Sequence, residues 1–171
     1  KAAKNPMIII GNAALTRQDG PEIYAAARAL ADRCNVVRQD WNGFNVLHTA
    51  AARVGALDIG FLPDAGGQDI DGISLKACEG DIRFVYLLGA DEIDMKSLGR
   101  AFVVYQGHHG DAGAHRADIV LPGAAYTEKD ATYVNMEGRV QRTRRAVFPP
   151  GAAREDWAII RALSELVEEK L

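Results

Sequence analysis

Side chains that could do chemistry concentrate in one stretch of the chain, residues 103–141. It contains three of the four histidines, His108, His109 and His115, with Asp111 among them in a glycine-rich segment. Imidazole and carboxylate groups are suitable ligands for zinc, iron or nickel. Metal-binding histidines, however, are usually held by a rigid element and by further hydrogen bonds, which a glycine-rich loop does not supply. We therefore expect a polar loop at the strand ends and no metal at these residues.

A hydrolytic site is not indicated either, because it needs an activated hydroxyl or thiol beside a histidine and an acid. The threonine hydroxyls in and beside this stretch belong to Thr127, Thr132 and Thr143, and the Gly-x-Ser-x-Gly pattern of a nucleophile elbow does not occur. Cys34 and Cys78 lie far apart without a Cys-x-x-Cys spacing, so the sequence predicts two buried thiols rather than a zinc or cluster site. We expect no catalytic residue.

A second polar group follows, interleaved with the apolar residues Tyr133 and Val134. Its members are Glu128, Thr132, Asn135 and Arg139, with Gly138 between the last two. Some of them must be partly buried, and a carboxylate close to an arginine satisfies the hydrogen-bonding needs of both. The pattern predicts a hairpin-like element with a turn at Glu137 and Gly138. We assign this group a structural role, because no second acid is spaced to share a proton with Glu128.

Apolar runs and helical periodicity predict the elements that position these groups. β-Branched runs indicate strands at residues 7–10, 83–88, 101–105 and 117–121, the last ended by Pro122. Apolar residues at helical spacing indicate helices at about 19–33, 45–54, 70–79 and 154–171. Strands alternating with helices predict an α/β fold, a three-layer, doubly wound and mostly parallel sheet of the flavodoxin or Rossmann kind.

The length of 171 residues fits a single domain. We expect a sandwich core at about 5–122, the hairpin-like element at 123–148 and the C-terminal helix at 154–171. The formal net charge of −3 argues against a nucleic-acid partner. No apolar run approaches the roughly 18 residues that a membrane span needs. The arginines within residues 139–145 indicate a solvated edge, with docking of an acidic neighbouring subunit as the alternative.

Open α/β sheets bind ligands at the carboxyl ends of their strands. The polar or flexible residues that follow predicted strands are Gly11, Asn12, Gly89, Asp91, Gln106 and His108. The loop after the first strand lacks the glycine fingerprint of a dinucleotide site, so a nicotinamide cofactor is not indicated. These six residues are therefore candidates for a cleft, which we expect to be vestigial.

Three motifs carry a family resemblance: YQGHHGD, RADIVLPGAAYTEKDATYVN and EGRVQ, which cover most of residues 105–141. Weaker support comes from IIIGNAAL, ALDIGFLP and YLLGADEID. The sequence resembles the large iron–sulfur subunit of respiratory NADH:quinone oxidoreductase, in its C-terminal molybdopterin-oxidoreductase-like part. Molybdoenzymes such as formate dehydrogenases share a looser pattern of Leu-Pro followed by Glu, Thr, Asn and Gly-Arg, whereas QGHHGD is more particular to the respiratory subunit.

The resemblance implies a doubly wound α/β domain that has lost its pterin cofactor and supports electron transfer from NADH to quinone through iron–sulfur clusters elsewhere in the parent chain. It implies as partners the other domains of that chain and the peripheral-arm subunits of a proton-pumping complex. That complex would lie on the cytoplasmic side of a bacterial inner membrane or on the matrix side in mitochondria. The alternative is the molybdopterin guanine dinucleotide-binding domain of an active molybdoenzyme. Because the sequence starts with Lys1 rather than with a methionine, and because of this resemblance, we expect a fragment of a longer polypeptide.

Overall fold

The structure is a computed structural model that describes residues 3–167. These residues form two compact units. Unit 1 comprises the chain up to Leu62 together with Thr132–Arg142, and unit 2 comprises Pro63–Ala131 together with the chain from Thr143 onward. The chain therefore passes from one unit to the other three times.

Unit 1 contains a two-stranded parallel sheet. Strand β1 (Ile8–Gly11) pairs with β4 (Phe44–Leu47) in a register that joins Ile8 to Phe44 and Gly11 to Leu47. The other elements of the N-terminal segment are helices α1 (Asn12–Leu15), α2 (Gly20–Arg33) and α3 (Arg53–Asp58), and the antiparallel strands β2 (Val37–Arg38) and β3 (Trp41–Asn42). Two further strands, β8 (Ala131–Val134) and β9 (Val140–Thr143), pair with each other as a two-stranded sheet.

Unit 2 is built on a three-stranded parallel sheet in the order β5 (Phe84–Leu88), β6 (Phe102–Gly107) and β7 (Ile119–Pro122). Its helices are α4 (Ile70–Glu79), a 3-10 helix (Met95–Leu98), α5 (Ala112–Arg116) and α6 (Asp156–Leu166). The core consists of buried apolar residues from α4, the 3-10 helix, strands β5 and β6 and the residue just before β6: Ala77, Val85, Leu87, Leu98, Ala101, Val103 and Tyr105.

The predicted α/β class with parallel strands and a C-terminal helix is confirmed. Several elements follow local rules closely. Helix α4 begins after Asp69, whose Oδ1 accepts a hydrogen bond from Gly72 N at 2.9 Å, and it ends at Gly80, whose φ of 90° suits a glycine. The parallel strands are divided between two sheets, one in each unit, and the expected single-domain boundaries stay a prediction.

The helix predicted over residues 45–54 is wrong. Residues Phe44–Leu47 form β4 instead, and the helix α3 begins only at Arg53. The strand is held by the ladder to β1 and by an edge-to-face contact between the rings of Phe44 and Tyr24, whose centroids are 5.9 Å apart. Pairing with a distant strand therefore outweighs the helical spacing of the apolar residues.

Three further expectations need correction. Cys34 and Cys78 are exposed rather than buried. The polar loop predicted after β6 ends in the short helix α5. The C-terminal helix begins at Asp156 and ends at Leu166, and residues 168–171, which the prediction included, lie outside the described part of the chain.

Candidate functional site

Strands β5, β6 and β7 run in the same direction, so their carboxyl ends meet at one edge of the unit 2 sheet, here called the carboxyl edge. The ladder extends one residue beyond the strands. Gly89 N donates to Gln106 O at 2.7 Å, and Gly123 N donates to Gly107 O at 2.8 Å. This edge is the place where an open α/β sheet presents a ligand site, and it holds four of the six predicted cleft residues.

Gln106 is the most enclosed polar side chain of this edge, with no solvent exposure. Its Oε1 accepts a hydrogen bond from Tyr86 Oη at 2.5 Å, and its Nε2 donates to Asp156 Oδ1 at 2.9 Å. Asp156 Oδ2 in turn accepts from Lys129 Nζ. These four residues, here called the edge network, join two strands, the first residue of α6 and the segment before β8.

The electrostatics of the edge network keep its phenol protonated. Burial, and secondly the negative charge of Asp156, raise the pKa of Tyr86 above its ordinary value, so the hydrogen-bonding phenol is favoured over the phenolate. Asp156 lies in the first turn of α6, where a carboxylate suits the helix dipole. Its side chain is 35% exposed, so the ion pair with Lys129 contributes modestly to stability.

A buried aromatic ring fills the space beside this network. Tyr105 on β6 is 3% exposed, and its ring lies directly against Gly107 and Gly113. A Cβ added at Gly107 would come within 2.3 Å of Tyr105 Cζ, and one added at Gly113 within 2.7 Å of Tyr105 Cδ2. Burial first, and then the carboxylates of Asp91 and Asp111, raise the pKa of Tyr105. The space beside the two glycines is therefore occupied by the protein's own side chain.

Of the six predicted cleft residues, only Gln106 belongs to the edge network. Gly11 ends β1 and Asn12 begins α1, both in unit 1. His108 is exposed after β6, and its ring meets that of His109 edge-on with the centroids 4.4 Å apart. Over residues 3–167, no three His, Cys, Asp or Glu side chains are grouped as they would be around a metal ion. The absence of a metal nevertheless stays a prediction.

The residues predicted to hold the hairpin-like element act in two separate turns. Glu128 is half-buried, its Oε2 accepts from Ala125 N at 3.0 Å, and its own N donates to Ala125 O at 2.9 Å. The carboxylate therefore closes a turn at residues 125–128. This corrects the expectation that Glu128 supports the later turn, and its structural role stays a prediction.

The later turn, between β8 and β9, is organised by Asn135. Its Oδ1 accepts from Glu137 N and from Arg139 N, both at 3.0 Å, and its backbone O accepts from Gly138 N at 2.9 Å. Gly138 has a φ of 80°, a conformation that favours glycine. Arg139 joins the turn through its backbone, and its side chain is exposed, as is that of Thr132.

Sequence reasoning missed three members of the edge network: Tyr86, Lys129 and Asp156. Tyr86 lies within an apolar strand, and Lys129 and Asp156 are 27 residues apart in the chain. No spacing rule connects such residues, because the contact depends on how the segment after β7 and the start of α6 pack on the sheet. The parallel bridge between Gly123 and Arg154 brings these two segments together.

Comparison with known proteins identifies the family. Residues 1–166 match molybdopterin oxidoreductase. The chain belongs to that family. It is 51% identical over 169 residues to the NADH-ubiquinone oxidoreductase 75 kDa subunit of Reclinomonas americana, a match that covers 99% of this chain and 24% of that subunit.

Two further relatives agree with this one. The chain is 53% identical over 171 residues to the mitochondrial NADH-ubiquinone oxidoreductase 78 kDa subunit of Candida albicans, in a match that covers 99% of this chain and 22% of that subunit. The chain is also 48% identical to the NADH dehydrogenase [ubiquinone] iron-sulfur protein 1 of Solanum tuberosum, in a match that covers 97% of this chain and 21% of that protein. The resemblance to the large subunit of the respiratory enzyme is thus confirmed, and the chain spans about a quarter of the length of these relatives.

Proposed function

We propose that the chain is a non-catalytic structural domain of the large iron–sulfur subunit of a proton-pumping NADH:quinone oxidoreductase. In this role it supports electron transfer from NADH to quinone, which clusters elsewhere in the parent chain carry out. The names of the relatives support the placement in that subunit. The observation that carries the non-catalytic role is the edge network, which uses the polar side chains of the carboxyl edge for internal hydrogen bonds.

The family implies a molybdopterin cofactor, and the residues at the carboxyl edge do not fit one. The Gln106 amide is fully buried and is bonded at both ends, to Tyr86 and to Asp156, so it is not presented to a pterin. A pterin site would instead present polar groups that converge on the cofactor from an open cleft.

The surroundings of Tyr105 argue in the same direction. Glycines at the carboxyl edge let a phosphate approach the backbone, but the ring of Tyr105 takes up the space above Gly107 and Gly113. The carboxylates of Asp91 and Asp111 are close enough to influence Tyr105, and negative charge there repels a diphosphate. The edge is therefore better suited to packing than to a dinucleotide.

The proposal includes the partners and place of the parent subunit. The domain would contact other domains of its own chain and peripheral-arm subunits, on the cytoplasmic or matrix side of the membrane that holds the complex. Nucleic acid is not among the partners, in line with the net charge of −3. No helix within residues 3–167 combines the length and apolar character needed to cross a bilayer.

The test is the cofactor content of the parent subunit purified in its complex. We expect molybdenum and tungsten far below one atom per chain by mass spectrometry, and no pterin fluorescence after oxidation. An active formate dehydrogenase prepared in parallel supplies the positive control. Stoichiometric metal together with pterin would replace the proposal with the alternative, a pterin guanine dinucleotide-binding domain of an active molybdoenzyme.

A further inference from the structure

A groove of about 380 Å³ lies on the surface of unit 2. It runs between the segment after β9 and the start of α6, and we call it the aromatic–arginine groove. Its lining includes Arg145, Phe148, Pro149, Arg154, Trp157 and Ala158. Phe148 is 79% exposed and Trp157 is 65% exposed, so both rings face solvent. Exposed aromatic side chains together with arginines are the composition typical of protein-binding hot spots.

The groove is held in shape by hydrogen bonds. Arg145 N donates to Asp130 Oδ1 at 2.7 Å, and Ala146 N donates to Thr127 O at 2.9 Å, which fixes the segment that carries Phe148. Trp157 Nε1 donates to Glu155 Oε2 at 2.5 Å, which orients the indole. A partner therefore meets a surface whose main features are already in place, which lowers the entropic cost of binding.

The charge of the groove is positive. Its lining contains two arginines, Arg145 and Arg154, and one carboxylate, Glu155, in a chain whose net charge is −3. Arg145 places its guanidinium 4.2 Å from the centroid of the Phe148 ring, and Arg154 Nη1 donates to Ala153 O at 2.8 Å. Within residues 3–167, neither of these two arginines forms an ion pair with a carboxylate.

We infer that the aromatic–arginine groove docks an acidic segment of a second polypeptide, with an apolar side chain of that segment seated between Phe148 and Trp157. Arginine with its planar guanidinium suits carboxylates, and the exposed rings suit an apolar anchor. A second copy of this chain is disfavoured, because a two-fold contact would bring the same arginines face to face. Glu155, which also lines the groove, accepts a hydrogen bond from Trp157 and keeps its negative charge, so the two lining arginines outnumber the lining carboxylates by one.

The test uses the purified chain and a short synthetic peptide of Glu and Asp residues with one central Phe. Calorimetry should detect binding that weakens with salt, and peptide addition should change the tryptophan fluorescence. Arg145→Glu should weaken binding by about tenfold or more, because it places a repulsive charge in the groove. Arg145→Gln should give a smaller loss, and Trp157→Ala a loss that Trp157→Phe partly restores. Arg83→Glu, an exposed charge reversal before β5, is the matched control and should leave binding unchanged.

Several outcomes would overturn the inference. They are failure of the acidic peptide to bind, equal binding of a peptide with Lys in place of its acids, or equal losses in the Arg145 and Arg83 variants. Self-association that Arg145→Glu abolishes would assign the groove to a second copy, and tighter binding to phosphatidylserine vesicles would assign it to a membrane. If the full-length parent subunit alone fails to bind the peptide, the groove is filled by its own chain. The cofactor content of the parent subunit affects none of these measurements.

Discussion

Gln106 shows how one polar residue can organise a sheet edge. It follows three residues of β6 that are almost fully buried, Val103, Val104 and Tyr105, and it is itself fully buried. A buried amide without partners costs free energy, but here Tyr86 and Asp156 satisfy both of its ends. The side chain therefore links β5, β6 and α6 at the carboxyl edge of the sheet.

Replacing Gln106 with Leu should destabilise the protein. The change removes the acceptor of Tyr86 Oη and the donor to Asp156 Oδ1, which leaves polar groups unpaired at a cost of about 1–3 kcal/mol. Urea unfolding followed by circular dichroism would measure this loss. Gln18→Leu, at an exposed position, is the control and should leave the midpoint within error. Equal midpoints for the two variants would mean that the edge network does not stabilise the fold.

Tyr105 should make stability depend on pH in the alkaline range. Burial, with Asp91 and Asp111, raises the pKa of Tyr105 above the ordinary value of 10.0. Because the folded pKa is higher than the unfolded one, the contribution to stability is complete below pH 10.0 and is lost as pH rises through the folded pKa. Urea midpoints measured from neutral to alkaline pH should fall less for Tyr105→Phe than for the unaltered chain. Tyr126→Phe, whose ring is 71% exposed, should show the full fall.

At the scale of elements, the packing of α5 on β6 depends on glycines. Gly113 lies in α5 against the ring of Tyr105, and its Cβ position is also 3.2 Å from Asp91 Cβ. Gly110, which precedes the helix, has open space around its Cβ position. The two glycines are three residues apart, yet only at Gly113 does a neighbouring side chain come so close that the position needs a glycine.

Gly113→Ala should therefore destabilise, although alanine normally favours a helix over glycine by up to about 1 kcal/mol. The new methyl group would overlap the ring of Tyr105, and the forced repacking should cost about 1–3 kcal/mol. Gly110→Ala is the matched control and should be neutral or slightly stabilising. Thermal melts of the two variants give the comparison, and a gain in stability for Gly113→Ala would refute the packing argument.

The elements that sequence alone predicts well are those whose signals are local. Helix α4 with its cap Asp69 and its terminal Gly80, and strands β5 and β6 with their apolar runs, agree with expectation within about two residues. Strand β4 could not be predicted from its own spacing, since its conformation depends on pairing with β1. The edge network was equally hidden, because Lys129 and Asp156 meet only after α6 packs on the sheet.

At the scale of the whole molecule, the chain is an α/β protein whose two units each contain a parallel sheet. Its segments alternate between the units, so neither unit corresponds to a continuous piece of sequence. The hairpin-like element illustrates this, because the turn closed by Glu128 belongs to unit 2 and the turn organised by Asn135 belongs to unit 1. A change at Glu128 therefore tests whether this part of the molecule serves stability or chemistry.

Glu128→Ala should lower stability without changing the chemistry of the parent enzyme. The variant loses the acceptor of Ala125 N–H, a hydrogen bond worth about 1 kcal/mol, so the isolated chain should melt earlier. Glu128→Gln keeps an oxygen acceptor and should melt close to the unaltered chain. Glu79→Ala, at the exposed end of α4, is the control for removing a carboxylate.

The same variants, placed in the parent complex, separate the two roles. If the carboxylate only closes its turn, the amount of assembled complex falls with stability, and the NADH:quinone turnover of each assembled complex is unchanged. A general acid or base would behave differently, because Glu128→Gln would then fold and assemble normally while turnover dropped by about a hundredfold. Activity divided by the amount of assembled complex, measured beside the melting temperature, distinguishes these results. Normal abundance with collapsed turnover would contradict the structural assignment of Glu128 and the non-catalytic role of the domain.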